Sequence, residues 1–224
     1  RDRHKGKKKE EILSIDDARQ RRFAPDWAQE DIPTPEFTGV RVFRDFDMEE
    51  IASFMDWSPF FHAWELKGVF PRILDHPEKG EQARKLYDEA QVLLARMIEQ
   101  KTLSANGVIG LFPANSVGDD VELYTDDSRT EVLRRFHFLR QQGHRPEGKP
   151  NYCLADFVAP KESGRADYLG GFAITAGIGA NELAKEYEDH NDDYNAIMVK
   201  VLADRCAEAF AELMHKRVRD FWGY

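Results

Sequence analysis

The residues best suited to chemistry lie together in Asp56-Trp57-Ser58-Pro59-Phe60-Phe61, with Trp64 close behind. A carboxylate among so many aromatic side chains is costly to bury unless a cation pairs with it. Two readings fit these residues. Asp56 caps or turns the chain before Pro59 while Trp57, Phe60, Phe61 and Trp64 form core. Alternatively, Asp56 is an anionic anchor in an aromatic-walled pocket for a ligand carrying an ammonium or sulfonium, since aromatic faces attract cations.

Three further groups deserve weighing. The stretch Gly107–Asn115 (GVIGLFPAN) lacks the GxGxxG spacing of a dinucleotide cradle, and no GKS or GKT follows it. It reads as a glycine-interrupted strand with a close backbone neighbour, and whether Asn115 and Ser116 face a ligand stays open. His190 precedes Asp193 and Tyr194 at helical spacing, so a metal pair is sterically possible. Acids at a helix start are expected from its dipole, and capping is the simpler account. On the last helix Asp204, Glu208 and Glu212 recur every four residues. They form either a solvated face near Lys200, Arg205 and Lys216 or a surface that meets a cation or a partner domain. No GxSxG, HExxH or Cys–His arrangement is present, so no catalytic nucleophile and no metal site is expected. Cys206 falls on an apolar helix face and reads as core.

These residues need elements to hold them. Residues 12–35 read as an irregular strap with Phe23 and Trp27 as anchors and Pro25, Pro33 and Pro35 as punctuation. Thr38–Phe43 alternates like a strand. Asp47 is placed to cap a helix through Ile51, Phe54 and Met55 that Pro59 halts. Residues 81–100 carry the clearest mid-chain apolar stripe, closed by Asn106-Gly107. Val108–Pro113 and Val121–Thr125 read as a hairpin with a long loop. Residues 129–140 return to helical spacing, and Gln141–Pro150 is an exposed loop. Tyr152–Val158 and Tyr168–Thr175 read as strands, Leu183, Ala184 and Tyr187 mark a short helix, and Asp193 to about Phe221 is the longest helical pattern. Interleaved helices and hairpins give a single α+β domain, helix-rich, around an antiparallel or mixed sheet.

Composition narrows the classes. The 224 residues carry a formal charge of −9. Six of the basic residues lie in the first ten positions, which leaves 26 Lys and Arg against 39 Asp and Glu beyond them. A body that acidic repels a phosphate backbone, so nucleic acid is not an expected partner. Hydrophobic residues make up 42%, enough for a packed core. No apolar run approaches the roughly 20 residues that cross a bilayer, and the first ten residues lack the apolar stretch of a signal peptide, so no membrane is expected. Two cysteines are too few for a disulfide scaffold and fit reduced thiols in a cytoplasmic protein. Residues 1–11 read as a charged linker and 12–224 as the domain. A start at Arg1 and a stop at Trp222-Gly223-Tyr224 directly after a helical pattern suggest a piece of a longer polypeptide.

Several blocks in fixed order carry a resemblance. Besides Asp56–Phe61, they are Lys101-Thr102-Leu103, Gly110–Asn115 (GLFPAN), Asn151–Val158 (NYCLADFV), Asp192–Asn195 (DDYN), Ala203-Asp204-Arg205 and Ala207–Glu212 (AEAFAE). From about Phe37 to Tyr224 the chain resembles the C-terminal activation domain of cobalamin-dependent methionine synthase. The resemblance implies a C-shaped α+β domain that binds S-adenosylmethionine and supports reductive methylation of cob(II)alamin to methylcobalamin. Cobalamin would ride on a separate upstream domain in cis, zinc would belong to other modules of the parent enzyme, and the electron donor would be flavodoxin or a diflavin reductase.

Residue by residue, the resemblance places Asp56 on the ligand's ammonium, and Glu208 and Asp204 on the face toward ligand and cobalamin domain. The family's Arg-Pro-Ala-Pro-Gly-Tyr-Pro stretch and a later Tyr pair, both ligand-bordering, have no counterpart in these 224 residues. Weak or no S-adenosylmethionine binding is therefore expected of them alone. The competing reading is a docking module without ligand chemistry. A free-standing methyltransferase is disfavoured, because no glycine-rich nucleotide loop follows a first strand.

Overall fold

The computed structural model describes residues 12–224, so the expected linker 1–11 lies outside the described residues. The elements run α1 (Ile15–Gln20), β1 (Gly39–Phe43), α2 (Met48–Ala52), α3 (Ser58–Ala63), α4 (Gly80–Glu99), β2 (Ser104–Val117), β3 (Asp120–Tyr124), β4 (Val132–His137), β5 (Asp167–Ile178), α5 (Ala180–Asp189) and α6 (Asp193–Trp222). This is an α+β fold with strand order β1-β2-β3-β4, and β5 also pairs with β2. The β2–β3 and β3–β4 pairs are antiparallel.

The chain divides into two compact units. Among the described residues one holds 12–39, Gly110–Gly171 and Phe221–Tyr224; the other holds Val40–Ile109 and Phe172–Asp220. In the first, Ala114, Val121, Leu123, Cys153, Ala155 and Val158 form a buried cluster against Phe112, Phe138 and Leu169. The expected strap is fastened here. Leu13 N–H donates to Gln142 O at 2.8 Å, Arg19 Nε to Asp119 at 2.9 Å, and Phe23 packs on the rings of Tyr152 and Phe157. Trp222 Nε1 reaches the carbonyl of Pro33 at 3.2 Å.

The second unit is built on α4 and α6, whose apolar stripes are buried as the helical spacing predicts. Alternation along the first half of β2 buries Ala105, Gly107 and Ile109. Gly107 lets α6 side chains close in: a Cβ there would stand 3.1 Å from Phe210 and 3.3 Å from Met214. The close neighbours are therefore side chains, where the sequence suggested a backbone.

Several expected elements differ. Residues 129–140 form no helix but hold the edge strand β4 at Val132–His137, because pairing with β3 recruits it: Phe136 lies opposite Val121 and Arg134 opposite Leu123. Tyr152–Val158 is not a strand but encloses the 3-10 turn Leu154–Phe157, where Asp156 takes the Cys153 N–H. The β2–β3 hairpin has a two-residue turn rather than a long loop. Val117 faces Asp120, and Gly118 supplies the positive φ that a tight Gly-X turn needs. Asn106-Gly107 lies inside β2 and closes no helix. Asp47 does cap α2, but α2 ends at Ala52, and Pro59 opens α3 instead of halting α2. The strap, expected to be irregular, contains the short helix α1, capped by Ser14.

Candidate functional site

Asp56 sits between α2 and α3, exposed, and its Oδ1 accepts the Ser58 N–H at 2.9 Å. That bond explains the local fold: it turns the chain so that Pro59 lands in the first turn of α3. Among the described residues no Lys or Arg forms an ion pair with Asp56, so its charge stays available to a ligand.

The aromatic residues around it divide. Trp57, Phe60 and Phe61 turn inward and are buried. Their rings pack on one another and on Phe70 and Tyr87, with centroids 4.9–6.4 Å apart. Of the capping and turning roles offered for Asp56 the turn is the one realised, since Trp57 stands at the N-cap of α3 with no side-chain cap bond, and the three rings are core. The carboxylate stands at the surface of that cluster rather than inside an aromatic box.

Trp64 is set apart from the core rings. It packs on Tyr194 at 5.0 Å. Both residues line a cleft of about 330 Å³ with Leu66, Lys85 and Glu89. Tyr194 Oη donates to Glu89 at 2.5 Å, and burial first, then this carboxylate, holds the phenol well above its ordinary pKa. Glu89 went unnoticed in the sequence, since it lies 105 positions from Tyr194 and only folding brings the two together.

Two of the three acids in the row on α6, Asp204 and Glu208, are held by one cation. Arg205, its side chain 9% exposed, donates to Asp204 at 2.6 Å and to both Glu208 oxygens at 2.7 and 2.8 Å. Asp204 and Glu208 are themselves largely exposed, at 68% and 64%. Burial lowers the Arg205 pKa, but the two carboxylates raise it further and the net shift is upward. The flanking lysines look elsewhere: Lys200 pairs with Glu188 and Lys216 with Asp220, each at 2.8 Å. The sequence pattern offered three candidate cations for this row, and burial selects the one a single position off it.

The remaining candidates are structural. Asn115 and Ser116 are buried. Asn115 Nδ2 donates to the carbonyls of Ala159 and Arg165, its Oδ1 accepts from Arg129, and Ser116 Oγ donates to the Val158 carbonyl. The two side chains stitch β2 to the loop before β5. At the start of α6 capping prevails: Asp192 accepts the Asn195 N–H at 3.1 Å and the His190 ring meets the Glu186 carbonyl at 2.7 Å. Among the described residues no cluster of three or more His, Cys, Asp or Glu could hold a metal ion. No helix among them is long and apolar enough to cross a membrane.

An exposed aspartate without an ion pair among the described residues, set over an aromatic core, and a long helix bearing exposed acids braced by one arginine define an α+β domain with an anionic surface that attracts cations. The family model for the vitamin B12 dependent methionine synthase activation domain matches residues 47–224. The fold is also that of the crystal structure of the MetH reactivation domain bound to AdoHcy. The TM-score is 0.91 and the identity 48% over 95% of this chain. The match spans 65% of that protein's chain. This chain belongs to the methionine synthase activation-domain family.

Proposed function

We propose that residues 12–224 contribute one part of an S-adenosylmethionine site and that the domain serves reductive methylation of cob(II)alamin, reactivating methionine synthase. The observation that carries this reading is the 48% identity to a reactivation domain bound to AdoHcy, the demethylated form of the same ligand. Asp56, exposed and without a cationic partner of its own, holds the ligand's ammonium. Its bond from Ser58 fixes the carboxylate in place before the ligand arrives, which lowers the ordering cost of binding.

Glu208 and Asp204 face the ligand and the cobalamin domain. Arg205 braces both and leaves them exposed, which suits a surface that a partner domain covers. Cobalamin, carried by a separate domain of the parent enzyme, supplies the nucleophile for the sulfonium methyl. The work of this chain is positioning: it binds the methionine moiety and orients the methyl group toward that partner. The ligand is net cationic, so the acidic body favours its approach. Flavodoxin or a diflavin reductase serves as electron donor, and the setting is cytoplasmic.

Calorimetric titration of S-adenosylmethionine tests the reading. The full-length protein is expected to bind saturably and Asp56→Asn to weaken binding at least tenfold, with an unchanged thermal midpoint. Residues 1–224 alone are expected to bind weakly or not at all. An unchanged affinity in the Asp56→Asn protein removes Asp56 from the site, and no binding by the full-length protein defeats the proposal.

A further inference from the structure

The unit that carries the strap, which does not contain Asp56, holds a second meeting of carboxylates and aromatic rings. A cleft of about 310 Å³ is walled by Phe23, Trp27, Phe157 and Tyr224, with Asp31 and Asp167 among its lining. Among the described residues no Lys or Arg lines it. Two guanidiniums that reach its lining residues are engaged by backbone carbonyls: Arg165 donates to the Glu30 carbonyl at 2.6 Å and Arg129 to the Asp167 carbonyl at 2.9 Å.

Asp167 is 8% exposed and forms no ion pair among the described residues. Each of its oxygens accepts one backbone N–H, from Ala159 and from Tyr168, both at 2.7 Å. A carboxylate oxygen has room for more than one donor. Burial raises the Asp167 pKa despite those bonds and the Arg129 charge, so the buried anion is undercompensated. The Tyr224 phenol registers the same field: burial first, then Asp167 and Asp31, push its pKa up. Both carboxylates thus act on one place, and four aromatic side chains line it.

The geometry points to a binding site for a quaternary or alkylated ammonium group in this cleft, with Trp27 and Tyr224 as its aromatic walls and Asp31 and Asp167 as its counter-charge. Three features favour a methylated cation over a bare metal ion. Ring faces bind diffuse positive charge well; the Asp167 oxygens are already partly used; and the cleft is far larger than one ion. A methylated ammonium also sheds its weak hydration at little cost.

Ligand-observed NMR titration with choline chloride at constant ionic strength tests this on the 224-residue chain. Its neutral isostere, 3,3-dimethylbutan-1-ol, is the paired probe. Choline is expected to bind saturably and at least tenfold more tightly than the alcohol. Asp31→Asn, at an exposed position, is expected to weaken choline at least threefold and leave the alcohol unchanged. Trp27→Leu is expected to weaken choline at least fivefold. Equal affinity for the two probes reduces the cleft to an apolar hollow and overturns the proposal. So does choline binding that survives both substitutions, or no saturable binding at all.

Discussion

Arg140 grips Asp156 through both terminal guanidinium nitrogens, at 2.6 and 2.8 Å, with the two side chains only 1% and 4% exposed. The same guanidinium reaches Asp119 at 2.7 and 2.9 Å and the Asn151 carbonyl at 2.8 Å. One buried cation thereby ties the β2–β3 turn, the loop after β4 and the 3-10 turn Leu154–Phe157. Asp119 in turn holds Arg19 of the strap.

Removing that cation leaves the buried Asp156 without a cationic partner and leaves Asp119 only Arg19. Breaking a buried pair by deleting one partner costs roughly 3–5 kcal/mol. Arg140→Met is therefore expected to lower the urea midpoint by a large share of the total stability. The further change Asp156→Leu in the same protein is expected to restore part of it, because the stranded charge is gone. An Arg140→Met midpoint within experimental error of the parent refutes the role of the network.

The pH dependence follows from the same groups. Burial raises the Asp119 pKa, but hydrogen bonds from Arg140 and Arg19 outweigh it and leave the pKa below the usual carboxylate range. Glu122 is lowered first by Lys161, against burial, and then by Arg135. A carboxyl whose folded pKa is depressed stabilises the fold fully above its unfolded pKa, near 4, and loses that contribution as pH falls through the folded value. Asp167 has the opposite sign: its raised pKa makes its ionised form a liability, relieved on protonation. Urea midpoints are therefore expected to hold from pH 7 to about 5 and to fall below about 4. In Glu122→Gln the fall is expected to be shallower. A flat profile down to pH 2 contradicts the assignment.

How much of this was legible beforehand depended on where a residue's partners lie. The helices α4 and α6 were readable because their own stripes decide their burial. β4 was not. Val132, Leu133, Phe136 and Leu139 mimic helical spacing, and nearly every β4 position is exposed or half-exposed, so no buried face marks a period of two. Only β3, out of reach of a local pattern, selects the strand. Tyr152–Val158 misled for a related reason: Asp156, which folds the turn, is held by Arg140, 16 positions away. At the site, the motif around Asp56 was visible. Its exposure was not, because the same apolar residues fit an aromatic box or a core. The pairing of Arg205 with Asp204 and Glu208 followed from burial on α6 rather than from spacing.

The two thiols offer a simple check of the packing. Burial pushes the Cys206 pKa up to about 12, and burial likewise raises that of Cys153. Only the thiolate attacks a disulfide reagent, so both residues are expected to be inert in the native protein at pH 8 and to react at once in guanidinium. The native rate then reports opening of each unit, read separately in Cys153→Ser and Cys206→Ser proteins. Rapid labelling of Cys206 under native conditions contradicts its place on the buried face of α6.

Two glycines separate backbone strain from collision. Gly118, in the β2–β3 turn, has φ +65° and open space where a Cβ would stand. Gly179, just before α5, has φ +100°, and a Cβ there would sit 2.1 Å from the Thr102 carbonyl oxygen. Left-handed backbone alone costs an L-residue roughly 1–2 kcal/mol. Gly118→Ala is expected to lose about that much, ~1–2 kcal/mol, and no more. Gly179→Ala must add the collision, and its partner is backbone at the end of the α4–β2 connection, which cannot swing aside as a side chain would. Its loss is expected to exceed that of Gly118→Ala clearly, by urea denaturation of the two proteins side by side. Equal losses would mean that the Thr102 backbone yields freely, and the close approach of α5 to the start of β2 would then contribute nothing to the stability of this unit.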